Sequence, residues 1–313
     1  MLRRLIAPLL VSAALVLGAC GQAGTPGSAG DDKRLQVVAS TSIIGDIVRQ
    51  IGGDSVAVST LVPVGGDTHT FSPAPQDVAR VTEARVIFVN GAGYEEFLVD
   101  LLRSAGGSGE VVELSKGITL RELAEGEGHA EEEGHAEGNL DPHVWTDPSN
   151  VKYWTKTIAE TLGRIDTANE ARYAENAARY NAQLDELDAW IGAQFARVPP
   201  ENRLLVTDHA VFGYMADRYG LKQIGTLLPG YSSAARPSAQ ELAALQDEIA
   251  RHGVKAIFVG DVANENLARQ IAEDTGVRLV PVLTESLTPP DGVAPTYLDY
   301  MRHNVTTMAE ALR

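Results

Sequence analysis

Cysteine is almost absent from this chain: of 313 residues only Cys20 carries a thiol. One thiol excludes an internal disulfide framework and any zinc site built from several thiolates, so a metal centre here has to be made from His, Asp and Glu. Long apolar runs are just as scarce. Leu5 to Leu17 follows the basic Leu2-Arg3-Arg4 and precedes Leu17-Gly18-Ala19-Cys20. That stretch is too short for a stable membrane span, and its positive start and small final residues read as an export signal over residues 1–20. Cys20 sits where a lipoprotein signal would be cleaved. It is expected to become the lipidated first residue of the mature chain, with residues 21–34, rich in Gly, Ser, Ala and Pro, as a flexible tether. The competing reading is a plain secretory signal with an incidental cysteine. Either places the body outside the cytoplasm, and the first anchors it by lipid to a membrane, in a periplasm or on the outer face of the cell.

Positive charge is in deficit as well, with 26 Lys and Arg against 42 Asp and Glu and a net charge of -16. That balance opposes nucleic acid and anionic membrane surfaces as partners and suits a body that attracts cations. Much of the excess lies in residues 121–140, a Gly- and Glu-rich stretch around His129 and His135 with no apolar periodicity. It reads as a solvated loop, either a tolerated acidic insertion or an auxiliary collector of divalent metal. Also missing is the His-Glu-x-x-His helix of metal-dependent hydrolases.

What is present is a set of histidines far apart in sequence, each with an acid within two residues before it. His69 lies in Asp67-Thr-His69-Thr-Phe-Ser-Pro, His143 in Asp141-Pro-His143-Val-Trp-Thr-Asp-Pro, and His209 in Thr207-Asp-His209-Ala-Val-Phe-Gly-Tyr. Neutral imidazole suits zinc, and a carboxylate that accepts the other ring N–H can fix its tautomer. Asp67, Asp141 and Asp208 are the candidates for that role.

Short β-branched runs alternate with amphipathic stretches along most of the chain. Strands are expected at Leu35 to Ala39, Val56 to Leu61, Val86 to Val89 and Val111 to Leu114, with helices at Ser42 to Ile51, Pro75 to Glu83 and Glu95 to Ser104. Helices at Asn150 to Gly163 and Ala168 to Arg197 follow, the second stopped by Pro199-Pro200. Strands at Leu204 to Thr207, Lys222 to Thr226, Ala256 to Val259 and Arg278 to Val282 then alternate with helices at Ala210 to Tyr219, Ala239 to His252 and Asn264 to Thr275, before a last helix at Tyr297 to Leu312. This pattern predicts an α/β fold of two lobes, 35–165 and 200–313, with mostly parallel sheets flanked by helices and joined by one long helix within 166–199. Ligands of open α/β sheets sit at the carboxyl ends of strands. His69 and His209 follow strands, and so does Glu285, which could supply the carboxylate of a three-histidine, one-acid site in the interlobe cleft.

These motifs, with Asn90-Gly-Ala-Gly-Tyr-Glu-Glu-Phe and Tyr297-Leu-Asp-Tyr-Met-Arg-His-Asn, resemble in combination and order the substrate-binding lipoproteins of zinc and manganese ABC importers, the ZnuA-like family. The resemblance runs from Ala39 to the end. It implies that His69, His143 and His209 are metal ligands, with an acid after the last strand as the fourth. The family commonly has Thr-Asp-Ser where this chain has Thr284-Glu285-Ser286, so glutamate could ligate directly, ligate through water or leave a position open. Manganese importers of this family tend to carry a carboxylate at the third ligand, here His209, and zinc-specific members carry a loop where His129 and His135 lie. Zn2+ is therefore expected over Mn2+, although copper or nickel could bind such donors more tightly. The implied partners are the metal ion and a membrane permease, and the chain is expected to be a monomer without enzymatic activity. The other readings are an exported zinc hydrolase, since three imidazoles and an open position can activate water, and a lipid-anchored adhesin or metal sensor. His252 before Gly253 reads as a helix C-terminal cation, His303 as packing or capping on the last helix, Trp145 and Trp154 as core or cleft wall, and Asp147-Pro148 as a helix start.

Overall fold

The computed structural model describes residues 34–107, 109–122, 140–260 and 265–313. Cys20, the expected signal, the tether up to Lys33, and the loop histidines His129 and His135 lie outside the described residues. From Arg34 to Arg313 the chain forms one unit.

Four strands, β1 (Leu35–Ala39), β2 (Val56–Thr60), β3 (Val86–Val89) and β4 (Glu110–Glu113), pair in the order β2-β1-β3-β4. Four more, β5 (Leu204–Thr207), β6 (Lys222–Thr226), β7 (Ala256–Gly260) and β8 (Arg278–Val282), pair as β6-β5-β7-β8. Every pairing is parallel. Parallel neighbours need crossover connections, and the helices supply them: α1 (Ser42–Gly52), α2 (Pro75–Glu83) and α3 (Leu98–Ala105) in the first sheet. Helices α4 (Pro148–Ile165) and α5 (Glu170–Phe195) then lead to the second sheet, whose crossovers are α6 (Gly213–Tyr219), α7 (Ala239–His252) and α8 (Glu265–Thr275), and α9 (Tyr297–Leu312) ends the chain.

Of the four strands that lie between others, β3 and β7 are buried along their whole length and β1 and β5 in all but their first residues, because helices cover both faces of a parallel sheet. Pro281 is tolerated because β8 is an edge strand. In α1 the Thr41 hydroxyl caps the first turn by accepting the Ile44 N–H at 3.3 Å, and Ile43, Ile44, Ile47, Val48 and Ile51 form the buried stripe. Helix α5 has 26 residues, roughly 39 Å at 1.5 Å per residue. It buries Tyr173, Ala177, Tyr180, Leu184, Leu187, Ile191 and Phe195, spaced by three or four, against α1, α4 and α9. One apolar cluster includes Val37 and Phe88 of the first sheet, this stripe, and Leu205 and Phe258 of the second. The two lobes are thus joined by a long helix and a shared core.

Two helices, α3 and α6, start a full three residues later than their periodicity suggests. Glu95 lies ahead of α3 because its buried carboxylate accepts Ser40 Oγ at 2.6 Å and the N–H groups of Asn90 and Gly91 at 2.7 and 3.0 Å. Ala210 to Phe212 stay outside α6, the Ala210 N–H being drawn to Gly230 O at 3.0 Å. In both places the backbone that departs from the helix flanks the site.

Candidate metal centre

The four residues come from loops at the carboxyl ends of strands or from the start of a helix-entry turn. After β2 the chain continues to pair with β1 through Leu61 and Val62, then turns at Pro63 to Gly66, with Gly65 at φ 77°. Asp67 closes the next turn, its Oδ1 accepting the His69 backbone N–H at 2.9 Å and its Oδ2 accepting Thr70 Oγ1 at 3.1 Å and Ser233 Oγ at 2.6 Å. His143 immediately precedes a short 3-10 turn, Val144–Thr146, which leads into the Asp147 cap of α4. His209 follows β5, with Asp208 between it and the last strand residue, Thr207. Glu285 follows β8, where Asn304 of α9 clamps Leu283 by accepting its N–H at 2.9 Å and donating to its carbonyl at 2.7 Å. The Tyr300 hydroxyl holds Thr284 O at 2.6 Å.

These turns bring His69, His143, His209 and Glu285 together, with one nitrogen or oxygen from each within 4.8 Å of all the others. Glu285 Oε1 lies 3.2 Å from His69 Nε2 and 3.3 Å from His209 Nε2. Ring centroids are 5.8 Å apart for His69 and His143, 5.9 Å for His69 and His209, and 5.2 Å for His143 and His209. The side chain of His69 is 5% exposed and the others are fully buried. The three Nε2 atoms and Oε1 all lack hydrogen-bond partners. One unpaired buried polar atom destabilises by about 1–3 kcal/mol, so four that face one another form an arrangement that a cation would satisfy.

The surrounding groups tune the donors. Asp141 Oδ1 accepts both the backbone N–H of His143 at 2.9 Å and, at 2.9 Å, its ring Nδ1–H, which directs Nε2 toward the cluster. Asp208 Oδ1 lies 3.2 Å from His209 Nδ1 and also accepts the His209 backbone N–H at 2.8 Å. Asp67, the third candidate for a ring partner, bonds the backbone N–H of His69 instead. Tyr94 packs edge-on against His69 and His143 at 5.1 and 5.8 Å, and Trp145 stands 5.2 Å from His143.

Burial pushes Glu285 toward its neutral form, but the facing His69 and His209 imidazoles outweigh it and hold the carboxyl well below its usual range. Burial likewise opposes charge on His209, yet Asp208 and Glu285 raise it to about 10. His143 is lowered well below 6.5 by burial and by its neighbours His209 and His69. Burial lifts Asp141 to about 7 against the N–H of His143 and the nearby Arg121.

His252 ends α7 before Gly253, which is left-handed at φ 66°, and sits 3.3 Å from Glu248. His303 lies on α9 outside the group of four. Trp145 and Trp154 are buried, and Asp147 caps α4 with Pro148 in its first turn. The sequence did not single out Thr68, whose N–H donates to Glu285 Oε2 at 3.1 Å, or Ser286, whose Oγ accepts the Gly65 N–H at 2.7 Å. Both bonds join residues more than 200 positions apart. Tyr94 could have been noticed from the glycines around Ala92, a turn in which even the alanine has φ 53°.

Residues 37–311 match the sequence profile of a family described as zinc-uptake complex component A, periplasmic. The chain belongs to that family. It is 31% identical over 300 residues to the manganese-binding lipoprotein MntA of Halalkalibacterium halodurans, covering 96% of this chain and 95% of the relative. It is 30% identical to the high-affinity zinc uptake system protein ZnuA of Bacillus subtilis, covering 95% and 94%. Among solved structures, the Mn-bound periplasmic metal-binding protein of Candidatus Liberibacter asiaticus superposes with a TM-score of 0.78 at 26% identity, covering 90% of this chain and all of that one. Membership makes this family protein the substrate-binding component of a metal ABC importer and not an enzyme. The hydrolase reading falls with it.

Proposed function

We propose that the protein captures Zn2+ between its lobes with His69, His143, His209 and Glu285 and presents it to the importer's permease. The observation that carries this reading is the set of four buried, unbonded donor atoms, three nitrogens and one oxygen, facing one another. Three imidazoles and a carboxylate suit tetrahedral zinc, whereas manganese favours more oxygen and a higher coordination number. Glu285 ligates directly in this reading, since its Oε1 is already within 3.3 Å of two of the imidazoles. Mn2+ in the same donors is the second reading, favoured by the manganese names among the relatives.

The protein acts as a lipid-anchored monomer, held outside the cytoplasm through Cys20 on the tether of residues 21–34, with residues 1–19 removed ahead of that cysteine. In this reading His129 and His135 of the acidic stretch are an auxiliary collector of divalent metal, apart from the set of four donors. Calorimetry on the metal-free chain lacking residues 1–20, beside His69→Ala, His143→Ala and His209→Ala, tests the assignment. Tight one-to-one zinc binding, lost in each variant and much weaker for manganese, supports it. Equal binding by all four proteins moves the metal elsewhere, and preference for Mn2+ selects the second reading.

A further inference from the structure

Asp141 is fully buried, and one of its oxygens is occupied by the two N–H groups of His143. A buried carboxylate in that position needs a cation to balance it, and Arg121 is placed to do so. Its guanidinium Nη1 is 3.6 Å from Asp141 Oδ2, and its Nε donates to Asp217 Oδ2 at 2.9 Å. The Arg121 side chain is only 11% exposed. Its main chain is fixed too: the Arg121 N–H donates to the Tyr214 hydroxyl at 3.0 Å, that hydroxyl donates to Asp141 O at 2.8 Å, and the Asp141 N–H returns to Arg121 O at 2.7 Å.

The first residue of α6 leaves room for this pair. A Cβ on Gly213 would lie 2.5 Å from Arg121 Nη1 and 2.6 Å from Asp141 Oδ2, separations that real side chains do not tolerate. Arg121 thus pairs with Asp141 by charge, at 3.6 Å, while its hydrogen bond goes to Asp217. The geometry points to Arg121 as a positioning residue for metal capture: through Asp141 it fixes the orientation and tautomer of His143, with Nε2 turned to the cation. This rests on the reading of His143 as a ligand. It also ties the base of the acidic segment to the site, since Glu122 and Leu140 pair beside Arg121 and Asp141.

The test uses the full-length chain in detergent, as wild type, His143→Ala, Arg121→Gln, Arg121→Lys and Gly213→Ala. Zinc affinity is read by chelator competition, ligand geometry by the visible bands of the Co2+-substituted protein, and fold by the metal-free thermal midpoint. Arg121→Gln is expected to weaken zinc about tenfold, the lower end of what loss of an outer partner does, and to change the Co2+ bands while the metal-free midpoint stays within a few degrees. Arg121→Lys recovers most of the affinity and the bands because the charge returns. Gly213→Ala, which displaces the pair from its other side, reproduces the weakening. Wild-type affinity and Co2+ bands in Arg121→Gln, beside a His143→Ala that has lost zinc, overturn this step alone. Equal losses in Arg121→Gln and Arg121→Lys with a lowered midpoint reduce Arg121 to a structural role and overturn it as well. Should Arg121→Gln fail to fold, wild-type behaviour of Gly213→Ala does the same. A His143→Ala that binds like the wild type removes the ligand assignment and this inference together.

Discussion

His209 and His69 face the same oxygen of Glu285 but are held in opposite ways. His209 stands at the end of β5 and is fixed by its own lobe: Thr207 Oγ1 donates to His209 O at 2.7 Å, and Asp208 Oδ2 accepts the Gly260 N–H at 3.0 Å. Leu228 and Ala210 add backbone bonds within the same sheet's loops. His69 lies well beyond β2 on a turn whose ties run to the other sheet's loops, through Gly65 to Ser286, Thr68 to Glu285 and Asp67 to Ser233. One half of the site is therefore tied within its own lobe, and the other depends on contacts between the two lobes' loops. A carrier that must both hold and surrender its cargo gains from that division, because opening one loop set removes a donor without disturbing the rest.

The largest effect should come from the half tied within its own lobe. His209→Ala is expected to weaken zinc by more than the roughly 100-fold ceiling typical of outer partners, with chelator competition as the measurement. A loss under tenfold would remove His209 from the site.

Acidity acts on the same half. Because His209 is raised to about 10, the metal-free protein carries a proton there throughout the neutral range, and an incoming cation has to expel it. His143, lowered well below 6.5, has none to give. Zinc affinity should then fall about tenfold per unit from this group as pH drops from about 8 to 6, and calorimetry near pH 8 in buffers of different protonation enthalpy should show about one proton released. No proton release, or a pH-independent affinity, contradicts that account.

The two aspartates sharpen the comparison further. Asp208 lies against the ring of its histidine and Asp67 against the backbone, so Asp208→Asn is expected to weaken zinc about tenfold or more. Asp67→Asn should act mainly on the dissociation rate. Equal changes in affinity from the two would erase the distinction.

Much of this was legible in the residues and some was not. The eight strands and the long helix α5, which stops ahead of Pro199-Pro200, follow from local apolar period and from proline, which act over a few residues. His209 and Glu285 could be placed because each lies just past the end of a strand of clear pattern. The starts of α3 and α6 could not, because the carboxylate of Glu95 and the N–H of Ala210 find partners beyond their own helices. The role of Asp67 stays open in the sequence, because an acid two residues before a histidine can reach either ring or backbone, and sequence spacing is the same for both. Arg121 reads as one more charge at the edge of an acidic stretch until the space beside Gly213 is seen.

The smallest effect separates stability from closure most directly. Ser286 Oγ accepts the Gly65 N–H at 2.7 Å, lies 3.2 Å from Ser42 Oγ and donates to Leu287 O at 3.0 Å. Thr207 Oγ1 bonds within its own lobe, to His209 O and from Gln223 Nε2 at 2.8 Å. A net hydrogen bond is worth about 0.5–1.5 kcal/mol, so Ser286→Ala should raise the zinc dissociation rate a few-fold while leaving the metal-free thermal midpoint nearly unchanged, its bond to Gly65 belonging to the meeting of the loops. Thr207→Val should do the reverse, lowering the metal-free midpoint because the lost bonds lie within one lobe and do not depend on contact with the other. Stopped-flow release into excess chelator and a thermal melt on each variant measure both quantities. If Ser286→Ala lowers the midpoint as far as Thr207→Val does, the His69 turn is as firmly held as His209, and release has to begin elsewhere in the site.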